Sequence, residues 1–187
     1  MDIIISADRK LFEFINDHLH TTFLDWLMPL LRNSIIWLPF YIFMLVFVLI
    51  NFNKYKYWWM FFAIGTAILG DFISSDLIKQ NIFRLRPIND PYFANKINYL
   101  LSYKPGSSSF TSSHATNHFA LAAFFFFTLK KYIGNIAWLF YCWAALICFA
   151  QVYIGVHYPL DVLCGGIIGF VFGYLSATSF NRRYFLM

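Results

Sequence analysis

Residues 151–180 read QVYIGVHYPLDVLCGGIIGFVFGYLSATSF. From about 158 to 178 the stretch is apolar over the roughly 17 to 25 residues that a helix needs to cross a bilayer, yet His157 and Asp161 stand at its start. Ionisable groups at the edge of a membrane segment are expensive and functional by default. Their spacing of four puts both on one face of a helix, and Pro159 is tolerated in a first turn.

Working outward, four more stretches have the length and apolarity to span: about 34–52, 57–76, 113–130 and 133–151. The chain has 187 residues, 60% of them hydrophobic and 12% charged, and a mean hydropathy of +0.59. These values describe a single domain, 1–187, suited to lipid. The expected fold class is all-α: a polytopic helical bundle, 34–178, of about five transmembrane helices. Residues 1–33 carry Ile4, Leu11, Phe12, Ile15 and Leu19 at near-helical spacing with charges between them, which suits an interfacial helical segment. Phe23–Leu31 is too short, and too interrupted by Asp25 and Pro29, to span.

The net charge of +5 does not imply nucleic acid, because the basic residues sit in short turns and one motif rather than along a polar face. Cys142, Cys148 and Cys164 fall inside apolar segments without a disulfide or zinc pattern. No removable signal peptide is evident. Lys54, Lys56, Lys130, Lys131, Arg182 and Arg183 cluster at one set of helix ends, the cytoplasmic set by the positive-inside rule. The loop 88–112 and the N-terminus of this integral membrane protein are then extracytoplasmic and the C-terminus cytoplasmic. The Phe124–Phe127 run faces lipid or neighbouring helices.

Three polar clusters fall at the same membrane face. Lys79 and Arg86, seven apart, read as one helical face ending at Pro87, and two cations there suit an oxyanion. Snorkelling to the membrane surface is the plainer reading, and Arg84, off that face, reads as a surface or loop contact. Ser112 and Ser113 precede the third span, where they can cap a helix whose N-terminus attracts anions. His114 beside them could donate a proton, or simply be an interfacial polar residue. In the last cluster Asp161 can accept from one ring nitrogen of His157 and leave the other as a nucleophile, or the pair could only staple helices.

Together these residues resemble the type 2 phosphatidic acid phosphatase superfamily, whose pattern is Lys-x6-Arg-Pro, Pro-Ser-Gly-His, then Ser-Arg-x5-His-x3-Asp. The first block and the His-x3-Asp match. Thr111 and Ser113 replace the second block's Pro and Gly, and Ala150-Gln151 replaces Ser-Arg, losing a charge for which Arg84 or Lys104 could substitute. The resemblance implies metal-independent phosphoryl transfer without a cofactor. His157 is the implied nucleophile, Asp161 its orienter and His114 the acid and base, with Lys79, Arg86, Ser112, Ser113 and Gln151 around the phosphate. It implies a membrane lipid phosphate as substrate, first a polyprenyl diphosphate such as undecaprenyl diphosphate, with phosphatidylglycerol phosphate and lipid A phosphates as rivals. Two other readings stand: a zinc site of His114, His118, His157 and Asp161, and a non-catalytic protein that holds anionic head groups. Asp71 and Asp76 are candidate partners of Lys79 or Arg86.

Overall fold

The computed structural model of the protein describes residues 2–93, 96–184 and 186–187. Its helices are α1 (Asp2–His18), α2 (Thr22–Arg32), α3 (Leu38–Asn51), α4 (Lys56–Phe72), α5 (Ser113–Ile133), α6 (Leu139–Tyr153) and α7 (Pro159–Arg183), and no strand occurs among the described residues. Four continuous helical stretches are long and apolar enough to cross a membrane: Ser34–Asn51, Lys56–Ile78, Ser113–Tyr153 and Pro159–Arg183. The third doubles back at Gly134, where φ is +61°. Beyond it Phe140 meets Phe125, Tyr141 meets Phe126 and Trp143 meets His118, so α5 and α6 run antiparallel. The five apolar segments are therefore α3 to α7, an all-α membrane bundle.

Helix α5 is the axis of the bundle and touches α4, α6 and α7. Its Phe124, Phe125 and Phe126 are buried, Phe124 and Phe125 against Trp59, Phe140 and Phe180, and Phe126 against Trp138 and Tyr141. The aromatic run thus faces neighbouring helices, because bulky rings fill the gaps that small residues leave elsewhere along α5. Large apolar side chains such as Phe43, Phe61, Ile68 and Val171 stay exposed on the outer faces, as lipid contact requires.

The basic ends gather where sequence placed them. The amides of Asn53 and Lys54 donate to the Met187 carbonyl, Tyr132 donates to the Leu186 carbonyl, and the Lys130 ammonium lies over Phe126 and Trp138. The three polar clusters occupy the opposite end of the bundle.

The N-terminal segment forms two docked helices rather than one. Thr21 caps α2 by accepting from the Leu24 amide at 3.2 Å, and Met28 packs among Ala150, Tyr153 and Ile154 of the α6 end. From α1, Phe12 enters a pocket of Phe93, Val152 and Tyr158. Phe12, Ile15 and Leu19 of the near-helical apolar stripe are spent on protein contacts, while Ile4 and Leu11 of that stripe, with Ile3, Phe14, Phe23 and Trp26, remain exposed. The loop 88–112 contains positions 94 and 95, which lie outside the described residues.

Candidate active site

The one-face reading of Lys79 and Arg86 needs correction. Helix α4 continues as a π-helical turn, Ile73–Ile78, and stops there; residues 82–86 belong to no helix, and Arg86 itself has extended dihedrals. The residue before a proline is disfavoured in the α region, so Pro87 pushes Arg86 out of a helix. A serine loop completes the departure: the Ser108 hydroxyl donates to the Ile82 carbonyl at 2.8 Å and accepts from the Arg84 amide at 3.1 Å, and the Ser109 amide donates to the Arg84 carbonyl at 2.8 Å. From this non-helical segment Arg84 and Arg86 both reach the start of α7, Arg84 at Asp161 and Arg86 at His157.

Arg84 is thus no surface contact. Its guanidinium bridges Asp161 and Asp8, each at 2.5 Å, and lies 4.1 Å from the Tyr158 ring centre. Asp8 comes from α1 and also accepts from the Leu160 amide at 2.8 Å, satisfying a free N–H of the first turn of α7. Sequence reading missed Asp8, whose partners lie more than seventy residues away.

His157 is presented by a helix-ending turn. The amide of Gly155 donates to the Val152 carbonyl and that of Val156 to the Gln151 carbonyl, the bond pattern that closes a helix on a left-handed residue. Gly155 has φ +83°, and a Cβ there would sit 2.8 Å from Ile97. The His157 amide also donates to the Gln151 carbonyl at 3.2 Å.

Around the ring, Arg86 Nη1 stands 3.2 Å from Nε2. A guanidinium can only donate, so Nε2 presents its lone pair and Nδ1 carries the proton. Asp161 Oδ2 is 3.7 Å from Nδ1, longer than the direct hydrogen bond expected. Ser109 fills the gap: its Oγ is 3.4 Å from Nδ1 and donates to Asp161 Oδ2 at 2.5 Å. Asp161 cannot close the distance, because its other oxygen is held by Arg84 and Oδ2 also accepts from the Tyr158 amide at 3.0 Å.

Ser112 caps α5 by accepting from the Ala115 amide, and its own amide donates to the Asp161 carbonyl at 3.2 Å. Ser113 bonds Ser74 and Ser75 of the π-helical turn. His114 is half-buried in the first turn. His118 is turned away: its Nδ1 lies 2.7 Å from the His114 carbonyl and its Nε2 3.1 Å from the Tyr41 hydroxyl. The four residues weighed as a zinc site do not converge; among the described residues no group of three or more His, Cys, Asp or Glu side chains does. Asp71 accepts from Ser75 and Asn117, and Asp76 from Gln80; neither forms an ion pair with Lys79 or Arg86. Gln151 is fully buried, and both polar atoms of its side chain lack a partner among the described residues.

The site is electropositive. Arg86 is 5% exposed and donates only to neutral acceptors: the Ser107 hydroxyl and carbonyl, the Ser108 and Val156 carbonyls, and His157. Burial, opposed by Asp161, pushes His157 down to about 4, so Nε2 stays unprotonated at neutral pH. Burial and the Arg86 charge lower Lys79 to about 8. If the Lys79 ammonium binds substrate, kcat/KM falls as pH rises through about 8. Stability moves the other way: between about 8 and 10.5 the unfolded chain holds a proton the folded one has released, so stability increases with pH. A Lys79→Arg variant, charged throughout, should lose both effects, measurable by pH–rate profiles and thermal unfolding in detergent.

A buried, unprotonated imidazole nitrogen beside Arg86, at one end of a membrane bundle, is an arrangement suited to phosphoryl transfer. The model described as PAP2 superfamily matches residues 56–185, and the chain belongs to that superfamily. It is 29% identical over 180 residues to a lipid A 4'-phosphatase of Bacteroides thetaiotaomicron, covering 94% of this chain and 77% of the relative. It is also 29% identical over 179 residues to an undecaprenyl-diphosphatase of Sulfolobus acidocaldarius, covering 92% and 78%. The crystal structure of a transmembrane PAP2 type phosphatidylglycerolphosphate phosphatase from Bacillus subtilis shares the fold, with a TM-score of 0.68 at 18% identity, covering 98% of this chain and 88% of that one. The protein is a membrane lipid phosphatase, a hydrolase, which answers the alternative of a non-catalytic head-group binder.

Proposed function

We propose that the protein removes a phosphate group from a membrane lipid through a phosphohistidine at His157, and that a lipid A-type phosphate monoester is its substrate. The observation that carries the mechanism is the Nε2 lone pair of His157, held neutral beside Arg86. Nε2 attacks phosphorus while His114 protonates the departing lipid oxygen; His114 then takes a proton from water as it attacks the phosphohistidine, and inorganic phosphate leaves. Asp161, through Ser109, orients Nδ1–H and stabilises the developing imidazolium. Lys79 and Arg86 hold the non-bridging oxygens, the α5 N-terminus adds its partial positive charge, and Gln151 offers its unpaired amide from below.

Support for lipid A over the polyprenyl diphosphate ranked first from sequence comes from relatives: a second lipid A 4'-phosphatase, from Porphyromonas gingivalis, is 29% identical over 93% of this chain. The undecaprenyl-diphosphatase similarity sustains the second reading. The basic helix ends opposite the site support an extracytoplasmic active site. Phosphate release by purified protein from a lipid A disaccharide phosphate, undecaprenyl diphosphate and phosphatidylglycerol phosphate decides among them. The lipid A substrate is expected to show the highest kcat/KM, unchanged by chelator. Preference for the diphosphate reverses the substrate assignment, and loss of turnover with chelator restores the zinc reading.

A further inference from the structure

Helix α2 brings a cation to the site that sequence reading left in the N-terminal segment. Asp25, Met28 and Arg32 share one face of α2, three and four residues apart. Asp25 accepts from the Tyr153 hydroxyl of α6 at 2.6 Å and contacts His20 Nδ1 at 2.6 Å, while Met28 packs on Ala150 and Tyr153. Beyond the helix, Trp37 donates to the Leu31 carbonyl at 2.7 Å and stacks edge-on with Trp143. Helix α2 therefore runs antiparallel to α6, with Asp25 level with residue 153 and Trp37 level with residue 143. Arg32 falls between them, at the depth of His114, since His118 one turn deeper meets Trp143.

The Arg32 guanidinium lies 5.7 Å from the Tyr103 ring centre. Its Nε is buried without a hydrogen-bond partner, and no carboxylate pairs with it among the described residues. After burial, Arg32 is the largest influence pushing Arg86 down. Arg84, by contrast, is neutralised by Asp8 and Asp161, and Lys104 is exposed. An arginine held with an unpaired buried donor near the like charge of Arg86 is raised in energy until an anion arrives.

We propose that Arg32 is a third substrate-binding cation, its guanidinium joining Arg86 and Lys79 on the non-bridging oxygens of the phosphoryl group at His157. The N-terminal segment then completes the site as well as covering it. This rests on the phosphatase reading above, and inorganic phosphate, the product, is the probe.

Competitive inhibition by inorganic phosphate is measured for Arg32→Gln and Arg32→Lys, with thermal unfolding in the same detergent. Arg32→Gln should raise the phosphate Ki and the substrate KM roughly tenfold or more, and Arg32→Lys, which keeps charge but loses the planar fork, about threefold. A Ki and KM within twofold of the native protein in a folded Arg32→Gln overturn the proposal. Should Arg32→Gln not fold, Arg32→Lys decides: an unchanged Ki overturns it and a raised Ki sustains it. If instead His157→Ala keeps full turnover, the phosphohistidine reading has failed, an outcome independent of how Arg32 variants bind phosphate.

Discussion

Replacing His157 with Ala is expected to lower kcat by about 10⁴-fold or more, the scale on which removal of an enzymatic nucleophile acts, while leaving helix content intact. The side chain is nearly fully buried and bounded by Arg86, Ser109 and Asp161, so no other imidazole can take its place. Asp161→Asn should cost roughly 10²- to 10⁴-fold, because the orienting charge is lost. Ser109→Ala should cost roughly tenfold, the worth of one intervening hydrogen bond. That order, His157 above Asp161 above Ser109, separates an orienting relay from a direct His–Asp contact, in which Ser109 would hardly matter. A phosphate-labelled substrate adds a direct readout. Label should stay on the native chain after alkaline denaturation and be absent from His157→Ala. With an activated aryl phosphate, whose leaving group needs no proton, His114→Ala should accumulate the labelled chain, since its defect is confined to water attack. Full turnover by His157→Ala would show the mechanism to be wrong.

The parts legible in the sequence are those encoded locally. Apolar length identified α3 to α7, and short spacing brought out Ser112 with His114 and His157 with Asp161, although His157 precedes α7 (Pro159–Arg183) instead of sharing a helical face with Asp161. What could not be read is carried by contacts between distant segments. Lys79 and Arg86 match a motif, yet helical geometry was the wrong way to join them, because Pro87 and the Ser107–Ser109 loop hold the chain out of a helix. The same non-helical segment turns Arg84 inward, and its counter-ions come from α1 and α7. Ser109 carried no signal beyond one serine among several. The composition of residues 1–33 suited an interfacial helix equally well whether its apolar stripe met lipid or protein; only Phe12, Asp8 and Met28 in place show that it covers the site.

The chemistry depends on how closely α5 and α7 approach, since His114 rides on one and Asp161 on the other. Helices in lipid associate through small residues that let backbones touch, and Gly165, Gly169 and Gly173 line up at four-residue intervals against the carbonyls of Ser112, Thr116 and Ala120. A Cβ on Gly169 would lie 2.2 Å from the Thr116 carbonyl oxygen, and one on Gly173 2.1 Å from that of Ala120. Ordinary contact begins near 3.4 Å, so 3.4 − 2.2 requires the Gly169→Ala backbones to part by 1.2 Å, and backbone cannot swing aside as a flexible side chain can. Overpacking of this kind costs about 1–3 kcal/mol, and a displacement near 1 Å at reacting groups costs about 10²-fold in rate. Gly169→Ala and Gly173→Ala should therefore lower the unfolding temperature in detergent and reduce kcat/KM by about two orders of magnitude, although neither residue touches the phosphate site. Gly65→Ala is the matched control, with nothing within 4 Å of its added methyl, and should keep full activity with equal or slightly higher stability. Native-like melting and turnover in Gly169→Ala would mean that something other than this contact sets the separation of His114 and Asp161. The tie between the Ser112 amide and the Asp161 carbonyl would then be the next element to break.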